Sequence, residues 1–134
     1  MGVKQQLYTD FLKKEGYVPE ALESGDIQFK FQGETFVITS AEDDANYFKL
    51  SYYHAWDPSA TAKVWPLLNE LNAKFKVVKV SVLDNVICLT TETLLKDPAD
   101  FEALFTRCLH IVTSGKNHLA AALARVAVPA TPAS

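Results

Sequence analysis

The 134 residues suffice for one domain, and a chain of that length buries about 65–70% of its unfolded surface. With 49% hydrophobic and 22% charged residues it can build a core, which excludes a disordered chain. Net charge is −3, and the 13 Lys and Arg are scattered, so the basic footprint of a nucleic-acid-binding protein is missing. No run approaches the ~20 apolar residues of a membrane span. No charged-then-apolar leader opens the sequence. Met1-Gly2 has the form of a myristoylation start, but Gln6 stands where Ser or Thr is required. Cys88 and Cys108 are too few for a disulfide framework and read as buried thiols. The expectation is a cytoplasmic protein of bacterial type, with no membrane and no nucleic acid among its partners.

Val3, Leu7, Phe11 and Leu12 recur at helical spacing, and Gly16 followed by Pro19 ends the pattern, which predicts a helix over 3–15. Tyr17-Val18 should fold back over its last turn. From Asp26 the residues alternate. Ile27, Phe29 and Phe31 share one face, Gln32-Gly33 makes a turn, and Phe36 and Ile38 continue the inward set. Glu42-Asp43-Asp44 marks the next turn. The run Ala45–Trp56 then alternates again, with Phe48, Leu50, Tyr52 and Trp56 inward. These three strands predict an antiparallel meander with one wet face.

Asp57-Pro58-Ser59 breaks the pattern, with Ser59 or Thr61 as N-cap of a second helix whose stripe is Val64, Leu67, Leu68, Leu71 and Phe75. Pro66 should kink this helix or mark where its regular part begins. It ends near Asn72–Lys74 and feeds a hairpin, Lys76–Leu83 and Val86–Leu94, turned at Asp84-Asn85. Val78, Val80 and Val82 on one face and Val77 and Leu83 on the other read as a central or doubly covered strand. Asp97-Pro98 starts a last helix that keeps its period to about 125. At 1.5 Å per residue that is about 40 Å, more than one small sheet can cover. It should therefore break at Thr113-Ser114-Gly115, or pack its second half on the first helix or on another chain. Residues 1–126 form one α+β domain in this reading, in the order α-β-β-β-α-β-β-α, with the two longer helices packed on an antiparallel sheet of five strands in two groups. Residues 127–134 form a disordered tail.

No group of residues carries catalysis by itself. Asp43 and Asp44 beside Glu42 offer oxygens to a divalent cation, but three adjacent acids between strands make a solvated turn. His54, His110 and His118 share no zinc spacing with each other or with Cys108. Neither cysteine has a local base to make it a nucleophile, and five scattered glycines form no phosphate loop. No catalytic residue, metal ligand or cofactor is assigned. Asn69 and Asn72, three apart at the end of the second helix, suit a structural polar pair that bonds nearby backbone; the alternative is a pair lining a ligand cleft. The wet face of the meander carries Lys30, Val37, Tyr47, Lys49 and Tyr53, either an ordinary solvated face or a partner-binding surface.

The order of elements, together with Ser24-Gly25-Asp26-Ile27, the Gly33 turn, Phe36-Val37-Ile38, and Leu68-Asn69-Glu70-Leu71-Asn72 before Lys76-Val77-Val78-Lys79-Val80, resembles the YbjN-like family. Those proteins are described as candidate sensory transduction regulators of bacteria and share a fold with the type III secretion chaperones. The resemblance spans about residues 10–112. It implies a non-enzymatic, often dimeric protein that binds other proteins. The leading expectation is thus a non-catalytic module that holds an extended segment of a partner, chaperone-like or regulatory. A small-ligand sensor with a pocket between the second helix and the sheet is the alternative. The stripe of Leu119, Leu123 and Val126 adds the expectation of a homodimer that covers it.

Overall fold

The computed structural model describes residues 2–40, 44–56 and 61–125. The acidic residues Glu42 and Asp43, the break Asp57-Pro58-Ser59 with its capping candidate Ser59, Val126 and the tail 127–134 lie outside the described residues.

The first helix, α1, spans Val3–Lys14. Gly16 ends it at φ 92°, where a Cβ would be strained. The Gly16 N–H donates to the Lys13 carbonyl at 3.1 Å and the Tyr17 N–H to that of Leu12 at 2.8 Å, the paired closure that satisfies a helix C-terminus. Tyr17 folds back as expected, its ring 5.2 Å from Phe29 and 6.0 Å from Phe105. Val18 does not, and stays 84% exposed.

The strands are β1 (Glu20–Ala21), β2 (Ile27–Phe31), β3 (Glu34–Ile38), β4 (Tyr47–Ala55), β5 (Lys79–Leu83) and β6 (Val86–Leu94). They form a single antiparallel sheet in the order β1-β2-β3-β4-β6-β5. The expected five strands in two groups are thus six in one sheet. The extra strand is too short and too exposed to show periodicity. The two groups are joined by nine residue pairs of β4 and β6, from Tyr47 opposite Leu94 to Ala55 opposite Val86. β5 is an edge strand rather than a central one. Its second apolar face is open to water, with Leu83 61% exposed, and Val77 lies before the strand in the left-handed region at φ 68°.

α2 spans Thr61–Lys74, with Pro66 its sixth residue, so the hydrogen bond forgone is among the first of the helix. Asp97 accepts from the Ala99 N–H at 2.9 Å, and Asp100 accepts from the Asp97 N–H at 3.1 Å. This reciprocal cap opens a 3-10 turn, Pro98–Asp100, that leads into α3, Phe101–Arg125.

All three helices pack on one face of the sheet. α1 meets β2, α2 meets β5, and α3 crosses β4 and β6. One core results, from Tyr8, Phe11, Phe29, Phe48, Phe101 and Phe105 at one end to Val64, Leu68 and Leu71 at the other. Ring centroids of Tyr8 and Phe101 lie 4.7 Å apart, and those of Phe11 and Phe105 5.1 Å, in edge-to-face contacts.

α3 does not break at Thr113-Ser114-Gly115. Thr113 Oγ1 donates to the Leu109 carbonyl at 2.7 Å, and Gly115 is buried where the helix passes Leu89, Phe75 and Val78. Nor does its second half need α1 or another chain. The rings of Phe11 and Tyr8 tie α1 to the start of α3, whereas the later residues run beside α2, with Phe75 and His118 5.3 Å apart. Leu119 and Leu123 are 1% and 3% exposed within one chain. Of the stripe proposed as a dimer contact, Leu119 and Leu123 are therefore covered within the chain, and Val126 lies outside the described residues. A helix laid diagonally over a sheet and flanked by a second helix finds more apolar surface than the width of the sheet alone.

Candidate functional site

Pleating sends alternate side chains to opposite faces, so the register fixes what the helix-free face presents. One row crosses five strands: Gln28, Val37, Ser51, Thr90 and Lys79. The next holds Tyr53, Cys88 and Ser81, and beyond it come Ala55, Val86 and Leu83. At the other end, Lys49 faces Glu92 and Tyr47 faces Leu94.

All five residues assigned to the wet face, Lys30, Val37, Tyr47, Lys49 and Tyr53, therefore lie on the side away from the helices. They are not equivalent. Val37 is buried among its neighbours, Tyr53 is 44% exposed, and Tyr47 and Lys49 are half-buried. Lys30 lines a groove of ≈ 360 Å³ between the end of α1 and β2, with Tyr17, Val18, Glu20 and Phe29. The sequence reading missed Leu83, Val86, Cys88 and Leu94, of which Leu94 is 76% exposed. The alternation of β6 could have shown them. Without the pairing of β4 with β6, their side of the sheet could not be assigned.

Glu92 ties the polar end together. The Tyr47 hydroxyl donates to Oε2 of Glu92, and Lys79 Nζ donates to Oε1 at 2.8 Å. The bonds from Lys79 and then Tyr47 hold the Glu92 carboxyl below the usual carboxylate range. Between these ends, Ser51 Oγ and Thr90 Oγ1 lie 3.3 Å apart and both residues are buried. Burial pushes the Cys88 thiol up, and Lys49 and Ser81 oppose that only in part. The Cys108 thiol is likewise pushed up by burial. Neither is set up as a nucleophile.

Asn72 meets the backbone of β5. Its Nδ2 donates to the Val80 carbonyl at 2.8 Å, and its Oδ1 accepts from the Val80 N–H at 2.7 Å. Asn69 takes no part in this bridge and is exposed. Leu68 and Leu71 are buried between α2 and the sheet, and a groove of ≈ 290 Å³ opens beyond the end of α2.

On the helix side, His54 stands opposite Ile87, with its Nε2 buried and unbonded among the described residues. Tyr52 donates to Glu34 at 3.3 Å, and Lys116 reaches Glu34 at 3.8 Å. Among the described residues no three His, Cys, Asp or Glu converge as metal ligands, and no helix is long and apolar enough to cross a membrane.

Other solved structures share this arrangement of helices and sheet. YbjN from E. coli, a candidate transcription regulator, superposes with a TM-score of 0.68 over 92% of this chain and 93% of its own, at 13% identity. The chain has the fold of YbjN and of the type III secretion chaperones. The chaperone is SycH of Yersinia pestis, solved in complex with a fragment of YscM2. It matches with a TM-score of 0.54 over 84% of this chain and 98% of its own, at 10% identity. An uncharacterized protein from Methanothermobacter thermautotrophicus matches at 0.60 over 87% and 94%, with 13% identity. No family model and no curated protein matches the sequence. Neither YbjN nor SycH is described as an enzyme.

Proposed function

We propose that this is a non-catalytic protein-binding module that holds an extended segment of a partner protein on the helix-free face of its sheet. The observation that carries the reading is that face itself. Tyr53, Leu83 and Leu94 are 44%, 61% and 76% exposed there, beside Val37, Cys88 and Val86, with no helix over them among the described residues. Exposed aromatic and aliphatic side chains on a rigid sheet give contact area at low entropic cost. SycH, of the same fold, is seen with a bound protein fragment, which supports partnering of this kind. Lys30, Val37, Tyr47, Lys49 and Tyr53 are the contact residues of this reading, and the protein acts in the cytoplasm. In this reading a homodimer forms through this open face rather than through Leu119 and Leu123, which are covered within the chain.

The test is a photo-crosslinking residue at Tyr53, and separately at Glu102 on α3, in cells that make the protein. Crosslinks to a partner from position 53, lost when Leu94→Ser and Leu83→Ser are added, are expected. Equal crosslinking from both positions, or none from position 53, refutes the reading.

A further inference from the structure

The segment from Lys74 to Val78 has features that neither the core nor the bare sheet face accounts for. Val77 is held in the left-handed region at φ 68°, an outlier for a β-branched residue, and its side chain is 65% exposed. Strain of that kind persists only where surrounding structure imposes it, and it collects at binding segments. Phe75 N–H still donates to Leu71 at 2.9 Å, and Val78 is buried, so the chain reverses direction sharply between two fixed points. The reversal leaves a groove between the end of α2 and α3, with Phe75, Val78 and Ile111 as an apolar floor and Lys74, Lys76 and Ser114 at the rim. Neither lysine makes an ion pair among the described residues, although the chain as a whole carries −3. His118 closes one side, its ring against Phe75 and its Nδ1 2.8 Å from the Ser114 carbonyl.

We infer that this groove is a second docking site, for a segment of a partner protein in which acidic residues flank an apolar one. The apolar side chain fills the floor over Phe75 and Ile111, and the acids meet Lys74 and Lys76. Two unpaired cations around an apolar floor select this charge. An apolar segment alone would leave the lysines without partners, and a basic one would be repelled. Because the lysines are exposed, attraction weakens with salt over a Debye length of about 8 Å at physiological ionic strength. The inference rests on the protein-binding reading, but it uses a surface on the helix side of the molecule.

Three labelled ten-residue peptides serve as probes: alternating Asp and Leu, alternating Lys and Leu, and alternating Asp and Gly. Binding to the full chain is followed by fluorescence anisotropy, and the site by amide shifts in NMR spectra. The Asp/Leu peptide should bind at least tenfold tighter than either of the others and weaken as salt rises. It should shift the amides of residues 75–78, 111 and 114. The double variant Lys74→Glu/Lys76→Glu, exposed and checked by thermal melting, should lose at least tenfold. Shifts confined to the bare sheet face, tight binding of the Lys/Leu peptide, or an unchanged double variant overturn the inference while leaving the protein-binding reading intact. Absence of binding by all three also overturns it; the crosslinks from position 53 judge the broader reading separately.

Discussion

The carboxamide of Asn72 bonds both backbone groups of Val80, at 2.8 and 2.7 Å, and so occupies the free edge of β5 as a neighbouring strand would. An open edge is a template for unwanted pairing, and here one side chain at the end of a helix covers it at Val80. Asn72→Ala should cost about 1–2 kcal/mol, two hydrogen bonds at a partly solvated site. Urea denaturation checks the cost. Light scattering should show concentration-dependent association that the parent lacks; a variant as stable and as monodisperse as the parent would count against this role.

Gly115 is a helical glycine whose missing Cβ would lie 3.7 Å from Leu89, Phe75 and Val78, ordinary contact distance. Gly115→Ala should therefore stabilise by about 0.5–1 kcal/mol, through helix propensity and a filled contact. Gly115→Leu overfills the same space and should destabilise by about 1–3 kcal/mol. Paired thermal melts of the two variants should move in opposite directions.

His54 links stability to acid. Burial lowers its pKa, and Glu34 opposes that in part. Its folded pKa thus lies below the unfolded value of about 6.5, so in acid the unfolded chain takes up the proton first. The contribution is intact above about pH 6.5 and is lost as pH falls through the folded value. His54→Phe should flatten the decline in urea midpoint between pH 7 and pH 5.5. An equal decline in parent and variant would assign the acid sensitivity elsewhere.

Leu119 and Leu123 lie in the core of a single chain. Leu119→Ala should cost about 2–5 kcal/mol of folding stability by opening a cavity. Sedimentation equilibrium of the folded variant should return the same association state as the parent. A change in that state without loss of stability would restore these residues to an interface.

Much of the fold was legible because local chemistry and tertiary need agree. Asp97-Pro98 announces α3, Asp84 turns the β5–β6 hairpin at φ 52°, and the alternation through Phe48, Leu50 and Tyr52 marks β4. What was not legible is set by other parts of the chain. β1 exists only because Glu20 and Ala21 lie beside Gln28 and Ile27. Val77 sits in the left-handed region, where no propensity places a valine. Thr113-Ser114-Gly115 looks like a helix end, yet α3 runs through it because the segment is buried against Leu89, Phe75 and Val78. The site was half legible. Alternation put Lys30, Val37, Tyr47, Lys49 and Tyr53 on one face, but only the pairing across the sheet added Leu83, Val86 and Leu94.

The β4–β6 junction also bears on how the chain reaches this state. The meander β1–β4 and the hairpin β5–β6 are each built from neighbours in sequence, whereas the pairing of Tyr47 with Leu94 closes a long loop that includes α2. Loop closure is the slow and entropically costly step in such a topology. Substitutions on the β4–β6 ladder should slow folding, while those confined to either half should chiefly quicken unfolding. The same division makes fragment complementation feasible. A chain cut between β4 and α2 leaves two pieces that each carry one side of a nine-rung ladder, and mixing them should regenerate the native sheet.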